Sequence, residues 1–276
     1  MYWTPFPTNL SQLLRNIGSI SQEQILGIGR TGLVVRQGEL AIELSLKWST
    51  SSDEEVKANI ESLQHEQSIY TCLGKCDGVV PFLSFSETAT TLRVMENGDL
   101  RSYLRQNRPP KHLQLSWLRA MARTLAYIHE RRVIVADIAS RNFLLDSGLS
   151  IKFCDFTESI APPLDTCMEK ADFGGCSIRT DIGQLGSFDI FKDIPPKLSR
   201  GRWPRREDLP STQGVWLGLI IDECWTESAI NTALDLCQEL ENAEIENEPD
   251  EILRPSSNLL SMIQRTGIPG DDRQYR

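Results

Sequence analysis

Between residues 25 and 48 apolar and polar positions alternate in the two-residue rhythm of β-strands, and glycines cluster at 27, 29 and 32. From residue 53 the rhythm changes. Val56, Ile60 and Leu63 recur at helical spacing, with Ser52 or Asp53 as cap, Glu54 and Glu55 in the first turn and Gly74 at the stop. The spacing predicts a helix over 53–73. Short strands are expected over 79–84 and 91–95, and Glu96-Asn97-Gly98-Asp99 then reads as a turn and a hinge. Ser116 is the expected cap of a second helix, with Leu118, Met121, Ala122, Leu125 and Ala126 on one face. Residues 133–135, 143–145 and 151–153 read as buried strands, the last two joined at Asp146-Ser147-Gly148. Residues 156–180 are irregular. A short helix starting near Thr180 and Asp181 is stopped by Pro195 and Pro196, and a Pro/Arg-rich loop runs on to Pro210. Two helices near 215–225 and 228–242 close the pattern. The acidic and polar run that follows reads as a mobile tail. The expected organisation is therefore an extension over 1–21, a β-rich part over 22–96, a helical part over 97–242 and a tail over 243–276.

Composition narrows the function classes. A chain of 276 residues, 40% hydrophobic, can bury the core of one two-lobed domain or two small ones. The net charge of −9 argues against a nucleic-acid partner, which calls for a basic face. The arginines at 200, 202, 205 and 206 read as a solvated loop. No stretch reaches the ~20 apolar residues of a membrane span, and the first 20 residues do not read as a signal peptide. Seven scattered cysteines read as reduced thiols, and Cys72 and Cys76 lack the second pair that a zinc site needs. A cytoplasmic protein is expected, with neither membrane nor nucleic acid as partner.

The glycines carry the first chemical signal. Gly27-Ile28-Gly29-Arg30-Thr31-Gly32-Leu33-Val34 fits G-x-G-x-x-G-x-V, and a strand rather than a helix follows it. A two-residue turn at Gln37-Gly38 would set Val34 opposite Ala41 and Gly32 opposite Glu43. Val34, Ala41 and Glu43 then share one face of the hairpin. On the following helix Glu66 lies beside the apolar stripe, where a carboxylate wants a cationic partner.

Downstream, Val135-Ala136-Asp137-Ile138-Ala139-Ser140-Arg141-Asn142 resembles H-R-D-x-x-x-x-N, and Cys154-Asp155-Phe156-Thr157 stands where D-F-G would. Leu40-Ala41-Ile42-Glu43 resembles V-A-I-K with glutamate in the lysine position. Asp181 to Gly186 resembles the start of a central helix, D-x-x-x-x-G, and Cys224-Trp225 a late one. Over about 22–242 the chain resembles a protein kinase, most closely a divergent fungal kinase-like group, with Ala139 and Arg141 giving the catalytic loop a tyrosine-kinase-like form.

The resemblance implies an α+β, bilobal fold: a small β-rich N-lobe, and a mostly helical C-lobe with a shortened central helix. It implies a cleft for ATP and Mg2+ between them. Asp137 would be the base, Asn142 and Asp155 the metal ligands, and Gly27, Gly29 and Gly32 the phosphate cover. Val34 and Ala41 would lie on the adenine, with Glu96 at the hinge. Glu43 would occupy the phosphate-anchoring position, and Glu66 would face it. Two carboxylates about 4 Å apart repel by ~4 kcal/mol at an effective dielectric of 20, so Arg36 or Arg30 is expected to intervene. Lys47 is too far along the strand. With Ala136 in place of the motif's arginine and no A-P-E downstream, control by phosphorylation of the segment after Asp155 is not expected. The implied function is transfer of the ATP γ-phosphoryl to a protein hydroxyl, with weak or impaired activity. The alternative is an inactive pseudokinase that serves a signalling partner as scaffold. A small-molecule phosphotransferase is a third reading.

Overall fold

A computed structural model describes residues 21–48, 50–187, 205–226 and 229–243. The expected N-terminal extension and tail, the prolines at 195–196 and the arginines at 200 and 202 lie outside the described residues.

Five antiparallel strands form the first layer: β1 (Ile25–Ile28), β2 (Gly32–Gln37), β3 (Leu40–Ser45), β4 (Phe82–Phe85) and β5 (Ala89–Arg93), in the order β1-β2-β3-β5-β4. The β2–β3 register differs from the expected one by two residues. Val34 faces Glu43, Arg36 faces Ala41 and Gly32 faces Ser45. The turn is Gly38-Glu39, with Gly38 at φ 62° as its first central residue, where a left-handed backbone suits glycine. A shift of two preserves sidedness, so Val34, Ala41 and Glu43 still share a face. The opposite face buries Ile28, Leu33, Val35 and Leu46 in a small cluster of their own.

Helix α1 (Asp53–Leu73) has the predicted bounds. Ser52 and Glu55 exchange a capping box, and Gly74 ends the helix at φ 65°. Its inner face buries Leu63, Glu66, Ile69, Tyr70 and Leu73. Gln67 Nε2 donates to the Ser86 and Ala89 carbonyls and to Thr90 Oγ1, tying α1 to the β4–β5 hairpin.

The expected strand over 79–84 is split by Pro81, which lacks an N–H. Its second half opens β4. Its first half pairs instead with the helical layer: Val79 bridges Phe153 in parallel, and Val80 N–H donates to the Phe153 carbonyl at 2.9 Å. That layer contains α2 (Leu100–Gln106), α3 (Lys111–Glu130), the hairpin β6 (Phe143–Leu145) and β7 (Ile151–Phe153), α4 (Ile178–Gly186), α5 (Gly218–Trp225) and α6 (Ala233–Asn242). Helix α2, capped by Asp99, was not anticipated. Helix α3 starts earlier than a Ser116 cap implies, because Pro110 at φ −66° already presets the backbone and Leu115 is already on the buried face. Helices α5 and α6 are shorter than expected. Residues 133–135 are buried but form no ladder; only Ile134 pairs, with Ile160. The N–H groups of Val135 and Ala136 are taken by the Asp181 carboxylate instead.

One core runs from Ala41 and Tyr70 through Val79, Phe156 and Met121 to Trp225 and Leu240, so the sheet and the helices are packed as one. All seven cysteines are free. Among the described residues no helix is long and apolar enough to cross a membrane.

The join between α1 and α3 has little slack. A Cβ on Gly78 would overlap the side chain of Thr124. Gly78→Ala should therefore destabilise the fold by about 1–3 kcal/mol in urea melts, and Thr124→Ala in the same chain should recover part of that loss.

Candidate functional site

The glycine hairpin bends over the edge of the helical layer. Gly29 N–H donates to the Gly32 carbonyl at 2.7 Å, which makes Arg30 and Thr31 the two residues of the tip. Gly27 and Gly32 are buried in β1 and β2. A Cβ on Gly32 would stand 2.7 Å from Glu43 Oε1. The Glu43 carboxyl therefore lies against the backbone of the glycine strand, and only glycine leaves it that room.

Glu43 and Glu66 do meet, at 7% and 2% exposure, and their carboxyl groups hydrogen-bond to each other. The expected cation is not between them. Arg36 donates to the Gly38 carbonyl of its own turn, and Arg30 pairs with Glu158. A proton takes the cation's place. Burial, followed by the neighbouring charge of Asp155, raises Glu43 to about 7; burial and the charges of Glu43 and Asp155 push Glu66 well above the usual carboxylate range. Glu66 holds the proton and donates it to Glu43, and its Oε1 accepts the Phe156 N–H at 2.9 Å. A shared proton removes the repulsion that two carboxylates would carry.

Phe156 is fully buried and meets Tyr70 edge-on at 5.2 Å between ring centres, a contact worth about 0.5–1.5 kcal/mol beyond its area. His65 Nε2 lies 2.7 Å from the Ser159 carbonyl, a second tie between α1 and this segment. Thr157, in the glycine position of the motif, is unstrained. It is Asp155 that takes the left-handed conformation, at φ 60°. Burial pushes the Cys154 thiol well up, so it remains protonated beside Asp155.

The 136–142 loop is built on one buried carboxylate. Asp181, in the first turn of α4, accepts the Val135 and Ala136 N–H groups at 2.8 Å each and lies 2.9 Å from His129 Nε2. Gln184, one turn on, accepts from Ile138 N–H and donates to the Ala136 carbonyl. These bonds hold Ala136 at φ 65°, a conformation that costs an L-residue roughly 1–2 kcal/mol. Both anchors lie in the first two turns of α4, so a short helix is enough. Trp225 Nε1 reaches Ser187 Oγ at 3.0 Å, and a Cβ on Gly186 would stand 2.6 Å from Cys224 Cβ. The Cys-Trp pair of α5 thus closes directly on α4.

Asp137 is part-exposed, with both oxygens occupied. Arg141 Nη2 donates to Oδ1 and Oδ2 at 2.6 and 2.7 Å, and Asn142 Nδ2 donates to Oδ2 at 3.0 Å. The amide nitrogen of Asn142 is thereby committed. Its Oδ1 is buried and has no hydrogen-bond partner among the described residues. Asn142 pairs with Cys154, the residue before Asp155, its carbonyl accepting from Cys154 N–H at 3.0 Å. A buried amide oxygen without a partner is the kind of donor that a hard cation such as Mg2+ takes. Among the described residues no cluster of three or more His, Cys, Asp or Glu could hold a metal alone, so phosphate oxygens or water would have to complete the shell.

Val34 and Leu144 are half-buried and pack against the main core, to which Ala41 and Met95 belong. Glu96 lies on the exposed connection out of β5. The structure therefore brings together Gly32, Glu43, Glu66, Asp155 and Phe156 on one side, and Asp137 with Asn142 on the other. Sequence reasoning missed the grip of Arg141 on Asp137, although a spacing of four on a turn could have signalled it. It also missed the Arg30–Glu158 pair, which spans 128 positions and leaves no local signature.

The model of the protein tyrosine and serine/threonine kinase family matches residues 20–171, more than half of the chain. A probable serine/threonine-protein kinase of Dictyostelium discoideum is 30% identical over 216 residues, covering 69% of this chain and 42% of that protein. The mitogen-activated protein kinase kinase kinase dlk-1 of Caenorhabditis elegans is 31% identical over 156 residues, 54% of this chain and 16% of that protein. The serine/threonine-protein kinase LMTK3 of Mus musculus is 36% identical over 106 residues, 34% of this chain and 7% of that protein. The chain thus spans less than half the length of each of these relatives.

The raised Glu43 value sets a pH dependence of its own. A folded-state value raised from 4.5 to about 7 means that the native state holds more protons than the unfolded chain in that window. Stability is then fully present below about 4.5 and falls as pH rises through 7. The decline should amount to about 3 kcal/mol. Urea midpoints of wild type and Glu43→Gln between pH 4 and 8 check it: wild type should lose ground to the variant as pH rises, and parallel curves would dismiss the raised Glu43 value.

Proposed function

The chain belongs to the protein tyrosine and serine/threonine kinase family, and from that premise we propose that its cleft binds ATP with Mg2+ and transfers the γ-phosphoryl to a protein hydroxyl at a strongly reduced rate. The observation that carries this reading is the buried Asn142 Oδ1, which has no hydrogen-bond partner among the described residues, on the residue whose backbone pairs with Cys154 just before Asp155. Asn142 and Asp155 would hold the metal, and the ion supplies charge neutralisation of the phosphates when bound. Asp137 orients the acceptor hydroxyl and receives its proton. Arg141 holds the Asp137 carboxylate in place. Val34, Ala41 and Leu144 would pack on the adenine, with backbone groups near Glu96 at its edge. Positioning and charge neutralisation carry most of the rate in phosphoryl transfer, so glutamate in the anchoring position explains a low rate.

A second reading, an inactive module that holds nucleotide and serves a signalling partner, is favoured by Glu43 itself. Its carboxyl is paired with Glu66 and offers phosphate no cation. The β-rich part over 22–96 and the helical part over 97–242 would form the two lobes in either case.

Thermal melts with ATP test the nucleotide reading. At a hundredfold excess over Kd, ATP with Mg2+ should raise the melting temperature by about 5–10 °C. Asp155→Asn should remove the magnesium-dependent part. Glu43→Lys restores a cation opposite Glu66 and should raise both MgATP affinity and phosphorylation of a generic acceptor by tenfold or more. Turnover that survives in wild type and disappears in Asp137→Asn supports the enzyme. Tight binding without turnover, even in Glu43→Lys, would leave only the second reading.

A further inference from the structure

The phosphate end of the cleft is crowded with acid. Glu43, Glu66 and Asp155 act on one another there, and in the loops on either side Asp137 pairs with Arg141 and Glu158 with Arg30. The two arginines are not equally available. Arg141 is about one-fifth exposed and donates to both oxygens of Asp137. Arg30 is 65% exposed and, among the described residues, makes a single ion pair, Nη2 to Glu158 Oε1 at 2.6 Å, with Glu158 itself 51% exposed.

Where Arg30 sits matters as much as how it is held. It is one of the two tip residues of the glycine hairpin, between Gly29 and Gly32. The other, Thr31, is fixed through its carbonyl, which accepts the Leu46 N–H at 2.7 Å. The tip backbone is therefore anchored while the Arg30 side chain projects across the mouth of the cleft. Its partner Glu158 is three residues beyond Asp155, on the segment proposed to hold the metal. Glu43 lies under the same hairpin, against Gly32. A polyphosphate entering beneath the hairpin thus meets Arg30 above it and a carboxyl where a cation is expected.

Taking as given that the cleft binds nucleotide, we infer that Arg30 is the phosphate-contacting cation of this chain. Glu158 holds the guanidinium over the mouth and competes for it with the polyphosphate. Exchange is feasible because exposed, singly bonded ion pairs are weak, whereas a guanidinium–phosphate contact is charge-assisted and can become bidentate.

The competing account is that the pair is only a latch joining the hairpin to the helical layer. The two accounts differ in sign. A latch is broken equally by Arg30→Gln and by Glu158→Gln, so both variants would move nucleotide affinity the same way. If Arg30 contacts phosphate, Arg30→Gln loses affinity while Glu158→Gln frees the arginine and gains it. Calorimetric titration of the full chain with MgATP and with adenosine reads this directly. For MgATP, Arg30→Gln should weaken binding roughly tenfold, the size of one charge-assisted bond. Glu158→Gln should strengthen it about threefold. Adenosine should bind all three proteins alike. Same-sign shifts in the two variants, or an unchanged ratio of MgATP to adenosine affinity in Arg30→Gln, would overturn the inference while leaving nucleotide binding intact. Wild type that takes up neither ligand would instead remove the nucleotide reading, and the inference with it.

Discussion

One buried hydrogen bond between two carboxyl groups, Glu66 to Glu43, organises the cleft of this protein. Two ionised carboxylates in that position would repel. A single proton converts the repulsion into attraction and lets α1 lie against the sheet with Glu66 turned inward. From there the consequences propagate. Glu66 is free to accept the Phe156 N–H, Phe156 is drawn under Tyr70, and Asp155 is turned out of the core in a left-handed conformation. Glycine at 32 belongs to the same arrangement, since any side chain there would strike Glu43.

The helical layer solves a different problem with similar means. A loop that must present Asp137 and Asn142 cannot itself be a strand, so its N–H groups need other acceptors. Asp181 and Gln184 supply them from the first two turns of α4. This is why that helix can be short and still fix the loop, and why the buried run over 133–135 lacks the ladder that its apolar sequence suggests.

These two halves pull in different chemical directions. Asn142 carries a buried amide oxygen with no hydrogen-bond partner among the described residues, which fits the proposed nucleotide arriving with its metal. Glu43 sets an acid where phosphate charge would be met. The proposed function holds both, a metal-dependent cleft with a weakened hold on phosphate, and Arg30 at the hairpin tip is the cation positioned to offset the acid.

The sequence by itself determined what short-range physics governs. The 3.6-residue stripe, Ser52 cap and Gly74 stop set α1 to the residue. Two-residue alternation set which face of the hairpin carries Val34, Ala41 and Glu43, and that sidedness survived a register error of two. The spacing of Asp137 and Asn142 was legible as well, and the fold joins the two, Asn142 Nδ2 donating to Asp137 Oδ2 at 3.0 Å. Tertiary structure decided what depends on distant partners. Gly38 rather than Gln37 opens the hairpin turn; Pro81 splits an apolar run between two layers; Asp181 claims N–H groups that would otherwise look for a strand. The protonation of Glu66 was the least legible of all. A carboxyl's charge is set by burial and by the groups facing it, and Glu43, 23 positions away, faces it only once the chain has folded.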